Sequence, residues 1–177
     1  MEINTNEEGR VVLNIVTRYA KTWTLLLQYD EDRLALPKKR HQPQIALAYE
    51  KAKKAIVILK NTLVSRGEAT GLFGQERGKN LQGILGNIEQ TFDGKELYPS
   101  IEEKAAHLLY FVIKDHPFSD GNKRIGAFLF VIYLQENDLL ERSGVDAKVL
   151  VTMALLIAES DPRQKDLIIR LVINLLS

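Results

Sequence analysis

One stretch gathers most of the reactive side chains of this chain: Asp115-His116-Pro117-Phe118-Ser119-Asp120-Gly121-Asn122-Lys123-Arg124. His116 is the group here that can take up or release a proton near neutral pH. Asp120 offers hard oxygens of the kind that hold Mg²⁺ jointly with the phosphates of a nucleotide. Lys123 adds a mobile cation and Arg124 a planar fork. Asn122 reads as an N-cap, and the free N–H groups behind it would face an anion with the helix dipole in support. Pro117 and Gly121 break the preceding helix and shape the turn. Phe118 is expected to point into the core and anchor the loop. These residue types at this spacing suggest phosphate chemistry.

The elements that must position this turn are the apolar runs on either side of it. Ala105 to Ile113 precedes it and Ile125 to Leu134 follows it, and both read as helices buried nearly all round. A polar turn this dense between two core helices costs stability unless something uses it.

At these residues the chain resembles the Fic/Doc family, whose signature reads H-x-F-x-[DE]-[GA]-N-[GK]-R. His116, Phe118, Asp120, Gly121, Asn122, Lys123 and Arg124 fill every fixed position. The resemblance covers Asn80 to Asn137 well and the first part of the chain poorly. It implies an all-helical domain with a small β-hairpin flap. It also implies transfer of AMP from ATP, with Mg²⁺, to a protein hydroxyl, or transfer of a phosphoryl group as in the death-on-curing toxins. Gly121 matches the AMP-transferring form, and Lys123 the death-on-curing form. The second arginine of many AMP-transferring members is Ala127 here.

The resemblance also bears on control. Members are often restrained by a glutamate in a [ST]-x-x-x-E-[GN] motif. Glu8-Gly9 follows Asn4 at the right distance, but Asn stands for Ser or Thr, and Ala127 removes the usual partner. The expected restraint is a separate partner, such as an antitoxin.

Composition narrows the remaining classes. A length of 177 residues fits one domain with a sizeable core, and a net charge of +1 gives no electrostatic case for nucleic acid. The absence of cysteine excludes disulfides and thiolate metal sites and is compatible with a cytoplasmic location. Every apolar run is interrupted by charge, so no membrane span is expected, and the acidic start of the chain lacks a signal-peptide pattern.

Helical periodicity appears from Val11 to Asp30, where Val12, Ile15, Val16, Tyr19, Trp23, Leu26 and Leu27 predict one core-facing helix. Arg33 to Pro43 reads as a basic, solvated linker. Gln44 to Val64 predicts a second long helix with Ile45, Ala48, Ala52, Ala55, Ile56, Leu59 and Leu63 as its stripe. A loop punctuated by Gly67, Gly71, Gly74, Gly78 and Gly83 follows, long enough to be functional, although no P-loop element is present.

Ile88 to Tyr98 reads as a hairpin turning at Asp93-Gly94. The resemblance makes it the flap, along which Ile88, Glu89, Gln90, Thr91 and Phe92 would dock a target segment as an added strand. Ser100 to Glu103 is a capping box for the helix that ends at Asp115. His107 on that helix reads as a packed or surface histidine, since no second histidine stands at metal-ligand spacing. Asp146 is a predicted N-cap, and Asp161-Pro162 pairs a cap with proline at the first helical position. Leu167 to Leu176 predicts a final apolar helix that closes the core, with a homodimer face left open.

The expectation is therefore an all-α single domain, residues 1–177, with one flap hairpin. By resemblance it transfers AMP or another nucleotide monophosphate, or alternatively a phosphoryl group, from a nucleoside triphosphate to a Ser, Thr or Tyr hydroxyl of a protein. His116 is the expected base and Asp120 the expected Mg²⁺ ligand. Gly121, Asn122, Lys123 and Arg124 are expected to hold the phosphates. The alternative outside catalysis is a module that binds a nucleotide or peptide without turnover, for which Ala127 is the mild argument.

Overall fold

The structure is a computed structural model that describes residues 7–177, and of Glu8 the backbone alone. Asn4, invoked above with Glu8, lies outside the described residues. The described residues divide into two compact units, 7–35 and 36–177.

The first unit holds α1 (Glu7–Arg18) and α2 (Ala20–Asp30). The single core-facing helix expected from Val11 to Asp30 is corrected on two counts. The chain leaves helical geometry at Tyr19, whose φ of -105° and ψ of 20° start α2 afresh. The apolar stripe is also exposed: Val12, Ile15, Trp23 and Leu27 all stand about half open, and α2 buries no residue. Two helices alone are too small to enclose a core. The Trp23 indole N–H finds its partner locally, at the Val16 carbonyl, 3.2 Å away.

The second unit carries α3 (Tyr49–Ser65), α4 (Asn80–Ile88), β1 (Thr91–Phe92), β2 (Lys95–Glu96), α5 (Ile101–Asp115), α6 (Asn122–Glu136), α7 (Ala147–Glu159) and α8 (Lys165–Leu175). Among the described residues the hairpin is the sole sheet, so the all-α reading with one small hairpin stands. Its centre is the α5–α6 pair, and α4, α7 and α8 pack around α5. α5 is buried nearly all round, with Ala105, Leu109 and Val112 fully enclosed. The same expectation for α6 is corrected: it buries one face, with Ile125, Leu129 and Phe130 fully enclosed. Ala127, Phe128, Val131 and Ile132 stay half-buried because fewer elements pack around it. Gly126 allows their close approach, because a Cβ there would stand 3.1 Å from Ile113 and 3.3 Å from Val112.

Local capping follows the sequence. Ser100 Oγ accepts from the Glu103 amide at 3.2 Å, and its hydroxyl donates to the Glu103 carboxylate at 2.6 Å. Asp146 Oδ1 accepts from the Val149 amide at 2.8 Å. Asp161 caps the short 3₁₀ turn Pro162–Gln164 that leads into α8. α8 buries Ile168, Ile169, Val172 and Ile173 in the core.

The second long helix begins later than periodicity suggests. Gln44 to Leu47 is not helical, Ala48 is extended, and α3 starts at Tyr49. The Asn137 side chain explains the delay. It accepts from the amides of Gln44 and Ile45 at 2.9 and 3.1 Å and donates to the Ile45 carbonyl at 3.0 Å. That takes the backbone groups a helix would use. The basic segment before it is not wholly solvated either. Arg40 pairs with Glu103 at 3.2 Å, and His41 Nδ1 meets the buried Glu102 at 2.6 Å. No helix among the described residues is long and apolar enough to cross a membrane.

Candidate functional site

α5 ends where its chain must turn sharply. Its C-cap is His116, in the left-handed region at φ 50°, ψ 57°, which a non-glycine residue adopts only at a steric cost. Proline follows at once, so the helix cannot continue. The conformation leaves the imidazole exposed at the end of a rigid helix.

Phe118 turns inward and is 1 % exposed, as an anchor requires. The loop around it is held by Asn122. Asn122 Oδ1 accepts from the Phe118 amide and Nδ2 donates to the Phe118 carbonyl, both at 2.9 Å. The reading of Asn122 as the N-cap is thereby corrected. Gly121 is the N-cap, at φ 88°, and Asn122 is the first residue of α6. Asn122 Nδ2 also lies 3.5 Å from His116 Nδ1, at the outer limit of a hydrogen bond.

A second segment braces the loop. Phe73 to Arg77, from the glycine-rich stretch, runs beside Pro117 to Asp120. Gly74 N–H donates to the Asp120 carbonyl at 3.1 Å, Ser119 N–H to Gln75 at 2.8 Å, and Arg77 N–H to Pro117 at 2.8 Å. Phe73 is fully buried, and its ring fills the space that a Cβ on Gly121 would need, 2.4 Å away. The Arg124 guanidinium lies over that ring at 4.7 Å, donates to the Glu68 carbonyl at 2.8 Å, and stands 3.7 Å from Asp120 Oδ2. Sequence reasoning saw the glycines but not this role. Its backbone bonds to a segment forty or more positions away leave no local periodicity.

The expected residues converge. His116, Asp120, Gly121, Asn122, Lys123 and Arg124 line one cleft of about 550 Å³. Lys114, Ser119 and Glu159 line it too and were not singled out from sequence. Lys114 sits on the last turn of α5, where it donates to the carbonyls of Ala158 and Ser160 at 3.2 and 2.5 Å and holds the end of α7 at the cleft wall. Ile125 N–H is already taken by the Gly121 carbonyl at 2.8 Å, so the amides ahead of it form the open start of α6. Three cations and this helix start make the cleft suited to an anion.

Among the described residues no three His, Asp or Glu side chains gather as a metal cage. Asp120 and Glu159 both bring carboxylates to the cleft, and of the two Asp120 sits in the loop beside the start of α6. That donor set fits Mg²⁺ in the manner in which one or two carboxylates share the ion with substrate phosphates and waters.

The hairpin residues do not line the cleft. Asp93 and Gly94 form its turn at φ 51° and 73°, as a two-residue Asp-Gly connection requires. Thr91 pairs with Glu96 and Phe92 with Lys95. Its predicted start is corrected: Ile88 is the last residue of α4 and is buried, and Glu89 is the C-cap. The apolar series Leu81, Ile84, Leu85, Ile88 has helical spacing and carries α4 that far. Of the residues expected to dock a target, Thr91 and Phe92 are in a strand, while Gln90 lies outside it, donating its amide to the Asn87 carbonyl at 3.4 Å and accepting from the Leu97 amide at 3.0 Å.

His107 is packed rather than ligating. Its ring stacks on Tyr98 at 3.7 Å, Nδ1 bonds the Glu103 carbonyl at 2.7 Å, and burial pulls its pKa down to about 4.

No curated protein and no solved structure matches the chain. The sequence model of the Fic/DOC family matches residues 38–134, a span that includes the entire loop from His116 to Arg124, α5, the hairpin and nearly all of α6. The chain belongs to the Fic/DOC family.

Proposed function

We propose that this protein transfers AMP from ATP to a Ser, Thr or Tyr hydroxyl of a target protein. The observation that carries the reading is the convergence of His116, Asp120, Lys123 and Arg124 on one cleft at the start of α6. Family membership supports the coarser statement, nucleotide-dependent transfer to proteins.

In the proposed reaction the target hydroxyl gives its proton to His116 as its oxygen attacks the α-phosphorus. The new O–P bond forms while the bond from the α-phosphorus to the bridging oxygen breaks, and pyrophosphate leaves with that electron pair. Asn122, Lys123 and the amides at the start of α6 hold the phosphates, and Arg124 offsets the charge that develops on them. Asp120 would hold Mg²⁺, which when bound neutralises the phosphate charge. Positioning and charge stabilisation supply the rate. The target would lie along the hairpin as an extra strand.

A second reading is phosphoryl transfer, with attack at the γ-phosphorus and ADP as the leaving group. Lys123 in the place of glycine, and Ala127 in the place of a second arginine, favour it, because they alter which phosphates are held. Incubation with ATP labelled at the α- or the γ-phosphate, Mg²⁺ and a cell lysate tests the proposal. Protein labelled from the α position alone supports AMP transfer, protein labelled from the γ position alone supports the second reading, and His116-independent labelling refutes both.

A further inference from the structure

The hairpin has no apolar footing of its own. Its four strand residues are exposed, Phe92 to 81 %. A buried cation of α5 reaches it. Lys104, near the start of α5, is wholly buried, and its ammonium meets the last residue of α4, that helix's C-cap and one strand of the hairpin. Nζ donates to the Ile88 carbonyl at 3.1 Å and to Glu89 Oε2 at 2.8 Å, and stands 3.9 Å from Glu96 Oε2. Glu89 caps α4 two residues before β1 and Glu96 lies in β2, so one side chain joins the chain entering the hairpin, by a hydrogen bond, to the returning strand, by a longer ion pair.

A lysine is almost never fully buried unless it is paired. If Lys104 served only to fill the core, an apolar side chain of similar length would do as well or better, since desolvating ions offsets most of what their attraction returns. An apolar side chain cannot fix the positions of two partly exposed carboxylates. α5 runs unbroken from Lys104 to Asp115, with His116 as its cap. The hairpin clamp and the histidine are thus two points on one rigid rod, about 18 Å apart along its axis.

We infer that Lys104 is a positioning residue. It sets the placement of the hairpin relative to His116, so that a target strand added to the hairpin presents its hydroxyl to the imidazole. The inference rests on the docking role given to the hairpin above.

The test uses the full chain with Lys104→Met, which removes the charge and keeps the stem, and with Glu89→Gln/Glu96→Gln, which cuts the clamp from the exposed side without touching the core. Hydrogen exchange reads the clamp without any substrate. The bonded hairpin amides, such as Leu97 N–H, are expected to exchange about tenfold faster in both variants, while amides within α5 stay within about twofold of wild type. Transfer from α-labelled ATP to lysate protein reads the function. The lysate concentration giving half-maximal labelling should rise about tenfold, with ATP binding and the hydrolysis of ATP to AMP by water unchanged. Equal loss of protection in α5 and the hairpin would reduce Lys104 to a core residue and overturn the inference. So would unchanged hairpin exchange and unchanged labelling in both variants. If wild type labels no protein while the exchange result holds, the clamp stands as a structural device, and both the proposed transfer and the positioning role in it fail.

Discussion

The Asn122 side chain grips the backbone of Phe118 from both sides, accepting from its amide and donating to its carbonyl at 2.9 Å each. This pair closes the loop between α5 and α6 over a buried aromatic ring, and it makes Asn122 a structural clasp as well as a member of the cleft. Asn122→Ala should therefore lower stability by roughly 2–4 kcal/mol, because it leaves a donor and an acceptor unpaired. Denaturant unfolding measures it. Asn122→Asp keeps acceptance from the amide and loses donation to the carbonyl, so its cost should be smaller.

Gly121 and Phe73 are matched in the same way. At φ 88°, with a Cβ position 2.4 Å from the Phe73 ring, Gly121→Ala combines left-handed strain with overpacking. A loss of roughly 2–4 kcal/mol is expected. Phe73→Leu withdraws the ring edge, so the double variant should cost less than the two single changes added together. Strict additivity in a double-mutant cycle would show that the two residues are not in contact.

The chemistry-bearing loop was legible in the sequence because its residues are contiguous. His116 to Arg124 reach one cleft through a single turn between two helices whose apolar runs are unmistakable. The hairpin turn was legible for a similar reason, since Asp93-Gly94 carries its geometry in two residues. What escaped depends on distant partners. Asn137 delays α3 by capturing Gln44 and Ile45 across more than ninety positions. Phe73 to Arg77 brace the loop through backbone bonds, which no side-chain pattern announces. Lys104 stands in a capping-box helix with nothing in the sequence to set it apart, and its burial follows from the distant carboxylates that meet it. The stripe in α1 and α2 has helical period, yet period says which residues share a face and not what covers that face.

His107 makes stability depend on pH. Burial lowers its pKa from 6.5 to about 4, so the unfolded chain binds a proton that the folded chain refuses between those values. Its contribution is intact above about pH 6.5 and is lost as the pH falls towards 4, with a total on the order of 3 kcal/mol. His107→Phe should flatten the stability profile over that window relative to wild type. Parallel profiles for the two proteins, measured by urea unfolding at each pH, would contradict the assignment.

Tyr133 offers a contrasting case. Its hydroxyl is the buried side-chain polar atom without a partner among the described residues, and burial, followed by the charges of Glu89, Glu96 and Glu102, raises its pKa well above the usual phenol value. Tyr133→Phe removes an unsatisfied group and keeps the ring, so the thermal midpoint should rise, by the equivalent of about 1 kcal/mol. A lower midpoint would mean that the hydroxyl has a partner.

The central claim is that His116 takes the proton of a target hydroxyl at a phosphate-binding cleft. The most direct measurement compares wild type with His116→Ala, following label from α-labelled ATP into protein while ATP binding is measured in parallel. His116→Ala is expected to bind ATP as wild type does and to lose transfer by roughly 10²–10⁴-fold, the usual effect of removing a general base. Transfer by His116→Ala within a few-fold of wild type would contradict it.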